Sequence, residues 1–309
     1  MHKGRIIKST GSWYEVRSDT GGLLSARLKG RFKLEDLKTT NPLAVGDVVM
    51  LEKEENDWVI SEMCARGNYI IRKSPRQKHA DHIVAANLDR AYVIVCVEEP
   101  RTSTGFIDRF LLTAEAYHIP ATIVINKTDL QSRKGKMRMA QMIHDYELAG
   151  YEVLTVSCEK NEGINTLATK MSGKTNLLCG HSGVGKSTLI NLLIPGQNIR
   201  TENISGKHKK GIHTTTFAEM HELPQGGYII DTPGIKEFGI SDMAPEEVGQ
   251  YFIEFRKYLP ACKFSNCTHI TEPQCAVLQA LDEGNIAEER YKNYLQIMDD
   301  LQANYKHWE

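Results

Sequence analysis

The sequence predicts a multi-domain chain: an N-terminal β-barrel of the OB type (residues 1–68), a central α/β domain (69–240) and a C-terminal helical module built around a metal site (241–309). Three observations carry this reading. Five short β-type runs fill the first 65 or so residues, strand-length apolar runs then alternate with helical stretches, and three cysteines crowd around one histidine towards the C-terminal end.

The chain has 309 residues, enough for two or three compact domains. It is 41% hydrophobic and 25% charged with a net charge of −1, a balance that excludes a disordered or fibrous chain. No apolar run approaches the ~20 residues a spanning helix needs. The opening "MHKGRIIKSTGSW" lacks the apolar stretch of a secretory signal. A cytoplasmic location with no membrane partner is therefore expected. The near-neutral total hides an uneven distribution. Residues 1–41 carry nine Lys/Arg against four Asp/Glu, "RKSPRQKH" (72–79) and "GKHKKGIH" (206–213) are basic, and residues 281–309 carry seven acids against three bases. Three basic clusters in one chain point to a polyanion such as nucleic acid. Of the seven cysteines, Cys64, Cys96, Cys158 and Cys179 are scattered, as expected of reduced thiols.

In the barrel region "GRIIKS", "SWYEVRS", "LLSARLK", "DVVMLEK" and "DWVISEM" read as strands, with "DTGG" and "END" as turns. Five such strands suit an OB-type Greek-key barrel; a Src-homology-like barrel would give a similar pattern. "RGNYIIRKSPRQKHADHIVAANLD" (66–89) reads as a polar, basic connector. Beyond it "AYVIVCV", "ATIVIN", "YEVLTVS", "TNLLCG" and "GYIID" are nearly continuous in hydrophobicity, as strands buried on both faces of a mainly parallel sheet should be. "GFIDRFLLTAEAYH", "MRMAQMIHDYELAG", "GINTLATKM" and "GKSTLINLLI" alternate with them as helices, which is the doubly wound pattern. In the last part "APEEVGQYFIEFRKYL" reads as a helix with Pro and acids at its start. Tyr291, Tyr294, Leu295, Met298, Leu301 and Tyr305 form one helical stripe expected to pack on the protein itself.

"GHSGVGKST" satisfies G-x-x-x-x-G-K-[ST] between a strand and a helix. Its glycines let backbone N–H groups surround phosphate oxygens, and the helix N-terminus adds positive charge. Gly180, His181, Ser182, Gly183, Val184, Gly185, Lys186, Ser187 and Thr188 are the phosphate-binding candidates. Lys186 bridges β- and γ-phosphates and so is also a catalytic candidate; Ser187 is a ligand for Mg²⁺. "DTPG", about 45 residues later at a strand end, offers Asp231 to Mg²⁺ and the Gly234 N–H to the γ-phosphate.

"NKTD" closes the run "ATIVI", where ligands gather in open α/β sheets. An Asp there accepts both guanine N1–H and N2–H, whereas adenine would leave a desolvated carboxylate facing an acceptor. Asn126, Lys127, Thr128 and Asp129 are thus guanine-reading candidates, with Asn126 contacting the base edge or bracing the phosphate loop. Ser157 and Cys158, at the end of the next strand, complete the set. All the parts of a GTP site are present, but the base-reading loops precede the phosphate loop. The central domain is therefore predicted to be a P-loop GTPase with circularly permuted motif order, binding GTP and GDP. Sheet strands can keep their places while chain ends move.

Barrel, "NKTD", "GHSGVGKST", "GIHTTT", "DTPGIKEFG" and a compact Cys/His cluster, in that order, closely resemble the bacterial ribosome small-subunit-dependent GTPase A family. The resemblance spans essentially the whole chain. It implies GTP hydrolysis stimulated by the small (30S) ribosomal subunit, in late maturation of that subunit, with 16S rRNA as a contact and a monomeric protein. The alternative is an RNA-binding protein that holds GTP as a structural ligand without significant turnover; a P-loop ATPase or kinase is opposed by "NKTD".

Many GTPases orient the attacking water with Gln just after the Gly of "DTPG"; here that position is Ile235, which cannot. His213 in "GIHTTTF" can substitute as a base, or is simply a surface histidine; the resemblance favours the catalytic role. Thr214 and Thr215 are both candidates to ligate Mg²⁺. Cys262, Cys267, His269 and Cys275 read C-x₄-C-x-H-x₅-C, a closed tetrahedral set for one structural Zn²⁺, with His208 and His221 as weaker ligand candidates. Because "DTPG" leads directly into this module, a γ-phosphate-dependent shift there is expected to reorient it.

Overall fold

The computed structural model of the chain describes residues 2–29, 42–55, 57–73, 81–197, 199, 218–231 and 243–306. Thirteen strands and seven α-helices lie within them. The barrel strands are β1 (His2–Ser9), β2 (Trp13–Ser18), β3 (Leu23–Leu28), β4 (Val48–Glu54) and β5 (Asp57–Met63), at the five places where alternation is clearest. They pair in the order β1-β2-β3-β5-β4, and β4 returns to β1, closing the barrel. Ile6, Tyr14, Val16, Ala26, Val49, Leu51 and Ile60 fill it. Burial at every second residue of β2 is the sequence alternation made physical.

Residues 66–89 are more than the expected connector. β6 (Tyr69–Lys73) and β7 (Asp81–Ala86) form a separate antiparallel ribbon. Ile70, Ile83 and Ala85 are buried, and Ala85 bridges Val45 in the segment just before β4. The basic residues of this stretch mask three apolar side chains that the junction of barrel and α/β domain needs.

The central sheet holds β8 (Arg90–Val95), β9 (Ala121–Ile125), β10 (Glu152–Thr155), β11 (Thr175–Cys179), β12 (Glu219–Glu222) and β13 (Tyr228–Asp231) in the order β10-β9-β8-β11-β13-β12. All pair in parallel except β12, which runs antiparallel to β13. Helices α1 (Thr104–Ala116), α2 (Arg133–Leu148), α3 (Ile164–Met171) and α4 (Lys186–Leu193) flank it. Val93, Val95, Ile123, Ile125 and Leu177 face the α1/α2 side, while Tyr92, Ile94, Val124 and Leu178 face α3 and α4. The near-continuous apolar runs are these two alternating sets. β12 also meets β1 through Lys8 and Glu219, so one eleven-stranded sheet runs from the α/β domain into the barrel. The Lys8–Glu219 ion pair (2.8 Å) and Arg5 donating to Thr175 Oγ1 (3.1 Å) line that seam.

The C-terminal module is helical, but its first helix is not the long one expected over "APEEVGQYFIEFRKYL". A 3₁₀ turn (Pro245–Glu247) leads into one turn of α5 (Val248–Tyr251), and the chain leaves helical geometry at Phe252 (φ −84°, ψ 99°). The break lets both Phe252 and Phe255 reach Tyr294 edge-on at 5.3 and 5.1 Å. Two buried aromatics contribute more than continued helix propensity, which is a few tenths of a kcal/mol per residue. Then come α6 (Ala276–Asp282) and α7 (Glu288–Lys306). Tyr294, Met298 and Leu301 of α7 are buried, so the predicted stripe does pack inward. Among the described residues, the module's buried hydrogen bonds to the α/β domain go to Asp108 of α1. The shift through "DTPG" expected to reorient it falls on residues 232–242, outside the described set.

Candidate nucleotide site and metal centre

Spatial strand order undoes the rotation of the chain. Asn126 follows β9, Ser157 follows β10, Gly180 follows β11 and Asp231 ends β13, all at the same end of one parallel sheet. The base-reading and phosphate loops touch directly. The buried Asn126 donates from Nδ2 to the Val184 carbonyl (2.8 Å), and its Oδ1 accepts from the Cys158 N–H (3.3 Å). Of the two roles open to Asn126, bracing the phosphate loop is the one present. At Gly185 (φ +91°) a Cβ would stand 2.4 Å from Asn126 Nδ2, so only glycine allows this approach.

Asp129 is held for its task. The buried Ser157 donates its hydroxyl to Asp129 Oδ1 (2.5 Å) and accepts from the Lys160 N–H (3.1 Å). Thr128 Oγ1 donates to the Val156 carbonyl (3.1 Å). Lys127, in left-handed geometry, reaches Glu99 O with its ammonium (2.7 Å). Cys158 belongs to the site through its backbone; burial pushes its thiol up to about 11, too high for a thiolate at neutrality.

In the phosphate loop Gly180 and Val184 are buried, Gly183 and Ser187 half-buried, and Ser182 and Thr188 exposed. Lys186 Nζ pairs with Asp231 Oδ1 at 2.6 Å. The His181 ring lies on Phe106 of α1, centroids 3.8 Å apart. His213, Thr214, Thr215 and Gly234 lie outside the described residues, as does His208. Two contributors were missed in the sequence: Cys96, whose thiol donates to the Val184 carbonyl (3.6 Å), and Phe106. Cys96 was visible only as the end of an apolar run, and burial keeps it protonated, with its thiol pushed up to about 11.

The C-terminal cluster is a metal site in shape. One ligand atom from each of Cys262, Cys267, His269 and Cys275 lies within 4.8 Å of the others. Cys262 Sγ is 3.9 Å from Cys275 Sγ and 3.7 Å from His269 Nδ1, which is 3.4 Å from Cys275 Sγ. A tetrahedral ion with metal–sulfur bonds of about 2.3 Å needs sulfurs about 3.8 Å apart, so the four donors fit. Burial pushes the Cys267 thiol up to about 12 and raises that of Cys275, so binding a metal must displace protons. Glu272 fastens the loop by accepting from Thr268 N (2.5 Å), Thr268 Oγ1 (2.6 Å) and Ile270 N (2.9 Å). Although desolvation works against ionisation, these bonds bring its carboxyl down to about 2. Tyr291 and Tyr294 of α7 donate to the carbonyls of His269 (2.8 Å) and Thr268 (2.6 Å). His221 is not a ligand: it sits on β12 with Nδ1 2.6 Å from Gln197 Nε2.

A Cβ on Gly249 would lie 3.1 Å from both Cδ2 and Nε2 of His269. Gly249→Ala is therefore expected to push the ring off its ligating position and weaken metal affinity by about tenfold, as other supporting-residue changes do. Competition with a chromophoric chelator measures this; an unchanged affinity would show that the ring is not held there.

Residues 63–241 match the family described as RsgA GTPase, and residues 3–59 match the RsgA N-terminal domain. The small ribosomal subunit biogenesis GTPase RsgA of Bacteroides fragilis (strain YCH46) is 48% identical over 299 residues, covering 96% of both chains. That of Christiangramia forsetii is 46% identical over 308 residues, covering 98% of both. Among solved structures, YjeQ from Thermotoga maritima superposes with a TM-score of 0.81 at 33% identity, covering 97% of this chain and 98% of its own. YloQ, described as a circularly permuted GTPase, gives 0.77 at 28% identity, covering 97% and 95%. On sequence across both matched regions and on architecture along nearly its whole length, this chain belongs to the RsgA GTPase family.

Proposed function

We propose that this GTPase acts in late maturation of the small ribosomal subunit, and that binding to the subunit and its 16S rRNA stimulates GTP hydrolysis. The observation that carries the enzymatic half is the Asn126–Val184 bond, which joins the base-reading and phosphate loops into one pocket. The names of the relatives at 46–48% identity support the ribosomal half. In this reading the chain divides at 1–68, 69–240 and 241–309 and works in the cytoplasm as a monomer.

Asp129, held by Ser157, reads guanine; Lys127 covers the base; Asn126 and the Cys158 N–H fix the loops against each other. Gly180 to Thr188 wrap the phosphates. Lys186 leaves Asp231 for the β- and γ-phosphates, freeing Asp231, which with Ser187 offers hard oxygen donors to Mg²⁺. Mg²⁺ would neutralise charge developing on the transferred phosphoryl group. His213 serves as base for water in place of the missing glutamine, and Thr214 or Thr215 joins the Mg²⁺ shell. The Cys₃His set suits zinc, which favours thiolate and imidazole in a closed tetrahedron.

Phosphate release at saturating GTP, with and without purified 30S subunits and across salt, tests the reading. Intrinsic rates of ~10⁻⁴ s⁻¹ rising by up to ~10⁵-fold are the scale of partner-completed GTPases, and phosphate contacts make the stimulation fall with salt. No stimulation at any salt would favour an RNA-binding protein holding GTP as a structural ligand. Asp129→Asn is expected to cost about 1–3 kcal/mol of GTP binding, roughly 5- to 150-fold, and to narrow the preference over ATP. Selectivity unchanged in a competition assay would remove Asp129 from base reading.

A further inference from the structure

Helix α1 touches both functional centres, and it does so on opposite faces. Phe106 lies against the His181 ring of the phosphate loop. Two residues on, about 200° around the helix, Asp108 is fully buried against the C-terminal module. Asp108 Oδ1 accepts from Arg290 Nη1 (2.7 Å) and from the Tyr146 hydroxyl (2.8 Å), and Oδ2 accepts from Asn293 Nδ2 (2.6 Å). Arg290 in turn grips Glu254 with Nε and Nη2 (2.7 and 2.9 Å) and lies 4.6 Å from the Phe252 ring centroid. Arg109 pairs with Asp300, Thr104 donates to Glu289 (2.9 Å), and Leu112 is part of the module's own core. Ile107, Phe110, Leu111 and Ala114 seat the helix on the sheet. Along α7, Arg290 and Asn293 face α1 while Tyr291 and Tyr294 hold the metal loop.

We propose that Phe106 and Asp108 are positioning residues that make α1 the mechanical link between the phosphate loop and the metal-bearing module. The inference rests on the nucleotide-site reading above and adds the route by which nucleotide state reaches the C-terminal arm. Phosphate binding draws the loop into its cradle shape; His181 moves with the loop, and Phe106 follows because the rings are in contact. A helix packed on a sheet cannot bend locally, so the displacement appears at Asp108 and passes to α7. The link is a spatial one, packed and hydrogen-bonded groups on opposite faces of one stiff element, and nucleotide-dependent exchange tests whether it carries coupling.

Asp108→Ala is suited to the test because two buried carboxylates share one guanidinium. It removes the bonds from α1 to Arg290 and Asn293, while Arg290 keeps Glu254 and the Tyr146 hydroxyl keeps the Thr104 carbonyl (3.4 Å). Phe106→Leu keeps an apolar side chain but removes the ring face. Hydrogen exchange is followed in the full, metal-loaded chain, with and without a non-hydrolysable GTP analogue. In the wild type, exchange in α4, α1 and α7 is expected to slow, by about threefold or more in α7. In either variant protection of α4 stays and that of α7 is lost, with metal content unchanged. Merely structural roles would lower protection in α7 with and without nucleotide alike. Nucleotide-dependent protection of α7 persisting in both variants, or absent from the wild type, would overturn the link. Absence of protection at α4 would instead take away the nucleotide site itself.

Discussion

Arg290→Met is expected to destabilise the docked C-terminal module by about 3–5 kcal/mol, the cost of removing one member of a buried ionic set. The side chains of Arg290, Glu254 and Asp108 are 3%, 3% and 0% exposed, so water cannot take the guanidinium's place. Without it two carboxylates face each other across a space lined by Tyr146, Tyr151 and Phe252. They must protonate or the module must lift away. Burial raises the Asp108 carboxyl from its ordinary value against the pull of Arg290. Ionised Asp108 is thus a cost above its unfolded value and is relieved as pH falls. For that reason Asp108→Asn should be mild where Arg290→Met is severe. The triple change Arg290→Met, Asp108→Asn, Glu254→Gln should recover most of the loss, since neutral replacements of buried ionic sets are often tolerated. Denaturant unfolding followed by tyrosine signals of the module measures all three. An Arg290→Met midpoint equal to wild type would mean the set is solvated in solution.

What the sequence made legible follows from the range of the interactions involved. The barrel strands, the phosphate loop, "NKTD" and the Cys/His spacing are local patterns, and each lies where it was read. β12 was not legible, because "EMHE" has no strand signature and becomes a strand through pairing with β13 and β1. β6 and β7 were hidden by the charges around Ile70 and Ile83. The helix over 244–259 failed because its periodicity is real, while Phe252 and Phe255 are both claimed by Tyr294 from a distant helix. His181 was placed in the phosphate loop on motif position alone, and its ring's partner Phe106 is 75 residues earlier in the chain. Least visible was the Asp108–Arg290 clamp, whose members are 182 residues apart and individually resemble ordinary surface charges.

Removing the metal is expected to unfold the C-terminal module while leaving nucleotide binding in place. The loop from Cys262 to Cys275 exposes Phe264 and Ile270 and buries little apolar surface besides the ligands. Binding energies of ~10–16 kcal/mol for small zinc modules exceed what such a loop can supply by packing. Cys267 and Cys275 are also part of the core that holds Phe252, Phe255 and Tyr294. Without metal the thiols return to their protonated state, the His269 and Thr268 carbonyls lose their fixed places, and the Tyr291 and Tyr294 hydroxyls lose their acceptors. The damage should then reach Arg290, one residue from Tyr291 on the same helix. The effects of metal loss and of Arg290→Met are therefore expected to overlap rather than add, because each removes the same docked state. Chelation should remove the metal with uptake of protons by the ligand thiols, lower helical circular dichroism, and leave GTP affinity within about threefold, since the phosphate loop meets α1 at Phe106, on the face opposite the module. If helicity and the unfolding midpoint survive complete metal removal, the module holds itself together by packing and the cluster is only an accessory to it.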